Sequence, residues 1–472
     1  MKLSVKVYNI STHSRIVIFL LFILNISNLI CSEKYIYLYK DKCPNEILKG
    51  RREKVTSSIS INSALLVLSA DIGYPDNNNK LHPSPDLYYL SGFTDPHAAL
   101  LLIPNGLNIN GKNCREILLI NIQAKSDEKW HGKLMDAESA HEILGIDEVI
   151  DIKEMTKLIG KLVKTIDTLF ISSNIKYIRQ YHQMQDSCAK AIDLIECIFK
   201  NNSKIILENS NKNLIKSRSI KDSCEISLIK KAIDISSKGF FECFKEMKPD
   251  MPELNYEAIM EFQFRSNGAC FNAFPCIIGS GPNSTHAHYI ENKRIIKDNE
   301  LVVMDCGAEY SGYCADISRT IPSGGNFNTE QKIIYNIVLE AADSAFTAAI
   351  AFNKFKDPHL KALMIIQKRL SELGIIKNDD DAKEYFYHGT SHYLGLDVHD
   401  VGEKELLEPG NIITIEPGIY IPENSNCDKK WWNIGVRIED DILVTKGQPV
   451  NMSGFIPRTV QEIENSIKKK DK

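Results

Sequence analysis

"ELVVMDCGAEYSGYCADISRTIP", residues 300–322, decides how this chain is read. Two apolar runs of strand character each carry an aspartate: Asp305 closes the first, and Asp316 lies in the second. A carboxylate in a buried strand is heavily destabilised by desolvation unless it is paired or holds a metal. One such acid fits an exposed edge strand, but the pattern recurs. "NIITIEPGIYIP" (411–422) places Glu416 after alternating isoleucines, and "IGVRIEDDILVT" (434–445) places Glu439 inside a similar strand, followed by Asp440 and Asp441. Acids repeated on separate apolar strands point to one shared, buried charge centre.

A further stretch supplies imidazoles. "YHGTSHYLGLDVHDVG" (387–402) holds His388, His392 and His399. The spacing of His388 and His392 is that of a zinc pair on a helix. The alternation around Gly395 and Val398 instead predicts an extended strand, and no glutamate stands beside His388 to complete a helical zinc-protease motif. In an extended chain His392 can ligate, while His388 and His399 can donate protons or hydrogen bonds. Hard oxygen ligands with one imidazole suit divalent manganese, cobalt or zinc. Two carboxylates able to bridge would hold a pair of ions about 3.5 Å apart.

The rest of the chain sets the frame. Its 472 residues favour two or three domains, and a formal net charge of -4 offers no basic field for nucleic acid. Residues 1–32 begin with Lys2, Lys6 and Arg15, continue into "IVIFLLFIL" (16–24) and hold no acid. That order predicts a secretory signal peptide; an uncleaved anchor or an organelle presequence is the alternative. A membrane enters only if the segment stays uncleaved. The 12 cysteines are scattered without a CxxC pair, so no disulfide framework is legible, and Cys306 and Cys314 read as small buried fillers. Beyond the first 32 residues, sequons occur at Asn201, Asn283 and Asn451, and a glycan on Asn283 would obstruct the proposed site.

Strand-like and helix-like segments interleave from 33 to 215: strands at 59–71 and 115–122, two strand-like runs at 86–105 broken by Gly92 and Pro96, a helix and connection at 136–152, and a helix leading into a strand at 155–172. This is an α/β domain. A helix capped by Ser219 and running to about 247 opens the second domain, 216–472, with further helices over "NYEAIMEFQFRSNG" and near 329–350 and 358–373.

The order Asp305, Asp316, His392, Glu416, Glu439 resembles the five-ligand set of the pita-bread metallopeptidases, which include methionine aminopeptidase, prolidase and aminopeptidase P. "MDCGAEYSGYCADISRTIPSGGNF", "HGTSHYLGLDVHDVG", "TIEPGIYIP" and "GVRIEDDILVT" look like the bacterial and mitochondrial type of aminopeptidase P. "PDLYYLSGFTDPHAALLLIP" and "KWHGKLMDAESAHEILGIDEV" look like its amino-terminal domain, so the resemblance spans about 35–460.

It implies an α/β amino-terminal domain followed by a pita-bread α+β catalytic domain, and an Xaa-Pro aminopeptidase taking peptides with proline in second position. It implies two divalent metal ions, with manganese favoured over zinc or cobalt, and a homodimer or homotetramer. Carried over residue by residue, Asp305 chelates one ion, Asp316 and Glu439 bridge, and His392 and Glu416 hold the other. Glu416 is also the general base. His288 faces the substrate, with His286 a weaker candidate; His399 stabilises the oxyanion, His388 lines the proline side, and Arg437 supports the site. Tyr88 stands where some relatives carry tryptophan. Prolidase, acting on Xaa-Pro dipeptides, is the nearest rival; a non-catalytic peptide-binding module is the rival of another class.

Overall fold

A computed structural model describes residues 39, 41–69, 83–172, 193–197, 200, 205–209 and 211–468. The expectations for residues 1–32 and for Asn201 lie outside these residues.

The amino-terminal part is built on a mixed sheet of six strands: β1 (Ser63–Leu68), β2 (Ala99–Ile109), β3 (Lys112–Ile120), β4 (Glu148–Asp151), β5 (Thr168–Ile171) and β6 (Ile206–Asn209). Their spatial order is β4-β3-β2-β1-β5-β6. β1 is buried along its whole length because both its faces are covered. Leu65 and Val67 join a core continuous with the second domain, whereas Ala64, Leu66 and Leu68 pack with Met155, Leu158, Ile159 and Leu162 of this domain's own helix.

Two segments of this domain fold differently from what their sequence predicts. The run 86–91 is not a strand but part of the helix Pro85–Ser91, with proline in its first turn and Gly92 ending it in the left-handed region at φ 72°. Leu87, Tyr88, Tyr89 and Leu90 are all buried, so no helical alternation marks the segment. The connection after the helix Ala137–Leu144 also contains a strand, β4.

The second domain opens with the helix Ser223–Glu246. Its cap is Asp222, not Ser219: the Asp222 carboxylate accepts from the backbone N–H groups of Cys224 and Glu225, and Glu225 answers with a bond from the Asp222 N–H. Ser219 instead ends the preceding helix, Asn211–Ser219. The helices Glu253–Ser266, Thr329–Ala348 and Asp357–Glu372 follow the sequence expectation within a few residues. No helix among the described residues is long and apolar enough to cross a membrane.

The remaining strands form four small sheets: β7 (Phe271–Asn272), β8 (Ile277–Ser280), β9 (Leu301–Cys306), β10 (Ala308–Tyr310), β11 (Tyr313–Cys314), β12 (Ile317–Pro322), β13 (Ile412–Ile415), β14 (Gly418–Ile421), β15 (Ile434–Arg437), β16 (Asp440–Leu443) and β17 (Val450–Asn451). β9 lies between β8 and β12, with Asp305 opposite Ser318. β13 pairs with β16, and β14 with β15. Cys306 and Cys314 are free and buried, and burial pushes both thiols up. Cys43 and Cys224, by contrast, form a disulfide with Cα atoms 5.8 Å apart across a separation of 181 residues, a pairing that cysteine spacing could not announce.

Candidate active site

The acids arrive from strand ends. Asp305 is near the end of β9, and Asp316 precedes β12. Glu416 sits between β13 and β14, and Glu439 occupies the break between β15 and β16. Glu439 is therefore not inside a strand: the chain changes sheets there, because β15 pairs with β14 and β16 with β13. A cavity of about 400 Å³ is lined by Asp305, Asp316, Glu416 and Glu439 together with His288, His388, His392, His399 and Arg437. Every site residue named from the sequence reaches it except His286. Phe274, Pro275, Ile277, Ile290 and Val398 supply an apolar wall.

The stretch 387–402 is not helical; Tyr393 makes isolated bridges to Ile413 and Asp400. The His392 Nδ1 lies 3.0 Å from the Tyr393 carbonyl, which can only accept, so Nδ1 carries the proton. The Nε2 lone pair then faces Asp316 at 3.3 Å and Glu416 at 3.6 Å. His392 is thus aimed and set in the tautomer a metal ligand needs. Its backbone N–H donates to Thr414 Oγ1 at 3.1 Å, which ties the loop to β13.

The carboxylates are held differently. Arg437 Nη2 donates to Asp305 Oδ2 at 2.6 Å, while Asp305 Oδ1 is buried without a protein partner. Ser318 Oγ donates to Glu439 Oε2 at 2.9 Å and accepts from Arg437 Nε at 2.8 Å. Burial, then repulsion from Asp305 and other acids, pushes Asp316 well above the usual carboxylate range, and burial with Asp316 and Glu416 does the same to Glu439. Burial raises Glu416 to about 7 although His392 and Arg437 pull it down. Repelling acids, an orphaned oxygen and an aimed imidazole are what a divalent cation would satisfy. Ligand atoms of Asp316, His392 and Glu439 lie within 4.8 Å of one another, so the residues fit such a group.

The sequence did not single out Tyr420. Its hydroxyl accepts from Arg437 Nη1 at 2.9 Å and stands 2.8 Å from His388 Nε2, to which it donates. His388 Nδ1 lies 2.7 Å from the Gly389 carbonyl and carries the ring's proton. Burial and then Arg437 lower His388 to about 4, so the ring is neutral. A side chain on Gly418 would fall 2.5 Å from the Tyr420 hydroxyl, so the glycine of "EPGIY" leaves room for this relay and was its only sequence signal. Burial and His392 also lower His399, whose ring stacks edge-on to His392 at 4.5 Å. Asn283 is half-buried and its amide donates to Glu253 at 3.2 Å.

Residues 227–446 match the profile of metallopeptidase family M24, and residues 48–170 match the aminopeptidase P N-terminal domain. The Xaa-Pro aminopeptidase of Haemophilus influenzae is 32% identical over 90% of this chain and 98% of its own. The mitochondrial intermediate cleaving peptidase 55 of Arabidopsis thaliana is 27% identical over 89% of this chain and 82% of its own. Among solved structures, the aminopeptidase PepP of Pseudomonas aeruginosa superposes with a TM-score of 0.81 at 30% identity, over 90% of this chain and 98% of that one. Zinc-substituted aminopeptidase P of Escherichia coli, bound to product, superposes at 0.82 with 27% identity, over 92% of this chain and 100% of that one.

Proposed function

This chain belongs to the Xaa-Pro aminopeptidases of metallopeptidase family M24, and from that premise we propose that its cavity removes the first residue from peptides with proline second, using two divalent metal ions. An Xaa-Pro bond is a tertiary amide without an N–H and with φ fixed by the ring, so it calls for a dedicated site. The observation that carries the reading is the convergence of Asp305, Asp316, Glu416, Glu439 and the tautomer-locked His392 on one cavity.

Asp305 would hold one ion, His392 and Glu416 the other, and Asp316 and Glu439 both. Bound there, the metals would supply Lewis acidity and a more acidic water. Manganese is our first choice for an oxygen-rich set with one imidazole, ahead of zinc and cobalt. Glu416 takes the proton from the attacking water. His399 donates to the oxygen on which negative charge grows. His388, neutral and held by Tyr420, lines the proline side, and His288 faces the substrate. Arg437 fixes Asp305 and Tyr420 at once.

We also infer domains at 33–215 and 216–472, a homodimer or homotetramer, and delivery to the secretory pathway by residues 1–32. The Cys43–Cys224 disulfide favours an oxidising compartment. The mitochondrial relative from Arabidopsis favours the alternative of organelle import. A fluorescent reporter carrying residues 1–40 distinguishes the two by where it accumulates.

The activity test is metal-reconstituted protein against Xaa-Pro dipeptides, tripeptides and longer peptides. Cleavage of tripeptides and longer chains is expected. Turnover of dipeptides alone would make the protein a prolidase, and stoichiometric metal without turnover would make it a binding module.

A further inference from the structure

Behind the loop that carries His392 and His399 lies a second buried charge cluster, none of whose side chains lines the cavity. Arg218 is in the last turn of the helix Asn211–Ser219, and Lys221 follows in the linker to the helix Ser223–Glu246. Both are buried. Arg218 donates to Asp400 Oδ1 at 2.5 Å and to Asp397 Oδ2 at 2.8 Å, while its other nitrogen donates to Asp86 Oδ1 at 2.7 Å. Lys221 Nζ donates to Asp400 Oδ2 at 2.7 Å and to the Arg218 carbonyl at 2.7 Å. Both oxygens of Asp400 are therefore taken, each by a different cation. Asp86 belongs to the helix Pro85–Ser91 of the amino-terminal domain.

The cluster is fastened to the site at two points. Asp400 follows His399 directly, and its N–H donates to the Tyr393 carbonyl at 2.9 Å, closing the 393–400 turn. The Gly395 carbonyl in that turn accepts from Cys314 N–H at 2.8 Å, two residues before Asp316. A side chain on Gly395 would fall 2.0 Å from Asp400 Oδ2 and 2.9 Å from Lys221 Cε, so the turn closes onto the cluster without space to spare.

We propose that Asp400, clamped by Arg218 and Lys221, is a positioning residue that sets the His399 ring for catalysis, and that Asp86 extends this hold to the amino-terminal domain. The inference rests on the role given above to His399. A buried carboxylate held by two cations has little rotational freedom, so the peptide joining it to His399 is fixed in direction. The amino-terminal domain then contributes to turnover without touching the substrate.

Arg218→Lys keeps the charge and removes the fork that spans Asp86, Asp397 and Asp400. Loss of a supporting partner of this kind typically lowers activity roughly 10- to 100-fold, and the fall should be in kcat, with KM and bound metal unchanged. The decisive comparison is a double-mutant cycle with His399→Ala, measured on an Xaa-Pro tripeptide. In that background Arg218→Lys should produce no further fall, because the ring it positions is gone. Multiplicative effects would overturn the inference while leaving His399 its role. Parent-level kcat in His399→Ala alone would overturn the oxyanion role, and this inference with it. Should Arg218→Lys not fold, Asp86→Asn at the margin of the cluster takes its place in the same cycle, with a smaller fall in kcat expected and the same two outcomes against it.

Discussion

The cavity and the domain junction both bury several charges, and they balance them differently. At the junction Asp400 meets Arg218 and Lys221, and despite complete burial its carboxyl is held below the usual range. Asp440, next to the site, meets Arg319 and Arg458 and is likewise lowered. In the cavity Asp305, Asp316, Glu416 and Glu439 share the single guanidinium of Arg437, and Asp316, Glu416 and Glu439 are all raised. Burial is common to both regions; the number of facing cations differs. Asp86, which meets Arg218 alone, shows the intermediate case: burial raises it in spite of the ion pair. A region short of fixed cations is one whose charge a bound divalent ion can complete.

The strongest challenge to that contrast is Glu416→Gln. It removes one acid from the cavity and the proposed base together. Turnover should fall by about 10²- to 10⁴-fold, the usual weight of general-base catalysis. The metal-free protein should at the same time become more stable, because a repelling charge has gone. Parallel measurement of kcat and of thermal unfolding in chelator reads both, and a near-parent kcat would remove Glu416 from its role.

His399→Ala comes next. A donor aimed at a developing oxyanion acts in the transition state, and its loss typically costs about 2.7–4 kcal/mol, expressed in kcat. His388→Ala should act mainly on KM, since its contact is with bound substrate. Steady-state kinetics on one tripeptide compares the two, and equal effects on KM alone would sink the distinction.

Acidity sharpens the contrast further. Glu416 is raised in the folded protein to about 7, from an ordinary value of 4.5. Its favourable contribution to the metal-free fold is complete below 4.5 and is lost as pH rises through about 7. A shift of that size corresponds to at most about 3 kcal/mol. With metal bound the sign reverses, because ligation needs the ionised carboxylates and tightens as they lose protons. Unfolding followed between pH 5 and pH 8, with and without chelator, should give slopes of opposite sign; parallel slopes would refute the cation-deficient account.

The same contrast explains what the sequence disclosed. Asp305, Asp316, Glu416 and Glu439 stood out because a charge among Ile and Val residues is anomalous wherever the strand ends up. The helix Pro85–Ser91 did not, because burial on every side erased its periodicity. Tyr420 was hidden because an aromatic residue in an apolar strand has an ordinary core explanation. The junction was illegible for another reason. Arg218 and Lys221 meet Asp400 across separations of 182 and 179 residues, and each alone reads as surface charge. Local pattern betrays an unbalanced buried charge, whereas a balanced one is visible only after folding has assembled its partners.

The smallest effect on turnover is expected from the disulfide at the junction. Cys43 lies ahead of the first described helix, and Cys224 is in the first turn of the helix Ser223–Glu246. Around them Arg51 donates to Asp222 at 2.7 Å and lies 3.4 Å from the Cys43 sulfur. Tyr39 donates to Glu309, and Tyr310 to Asp41, so the leading segment is also held by hydrogen bonds. Neither cysteine lines the cavity. Reduction, or Cys43→Ser, should therefore lower stability by about 2–4 kcal/mol, the typical contribution of such a cross-link, through greater freedom of the unfolded chain. It should leave kcat near the parent value, because the surviving contacts keep the segment docked in the native state. Chemical unfolding with and without dithiothreitol, alongside kcat, makes the comparison. An unchanged midpoint would mean that the junction does without the cross-link. A matching loss of kcat would mean that the leading segment, like the Asp400 cluster, reaches the catalytic groups.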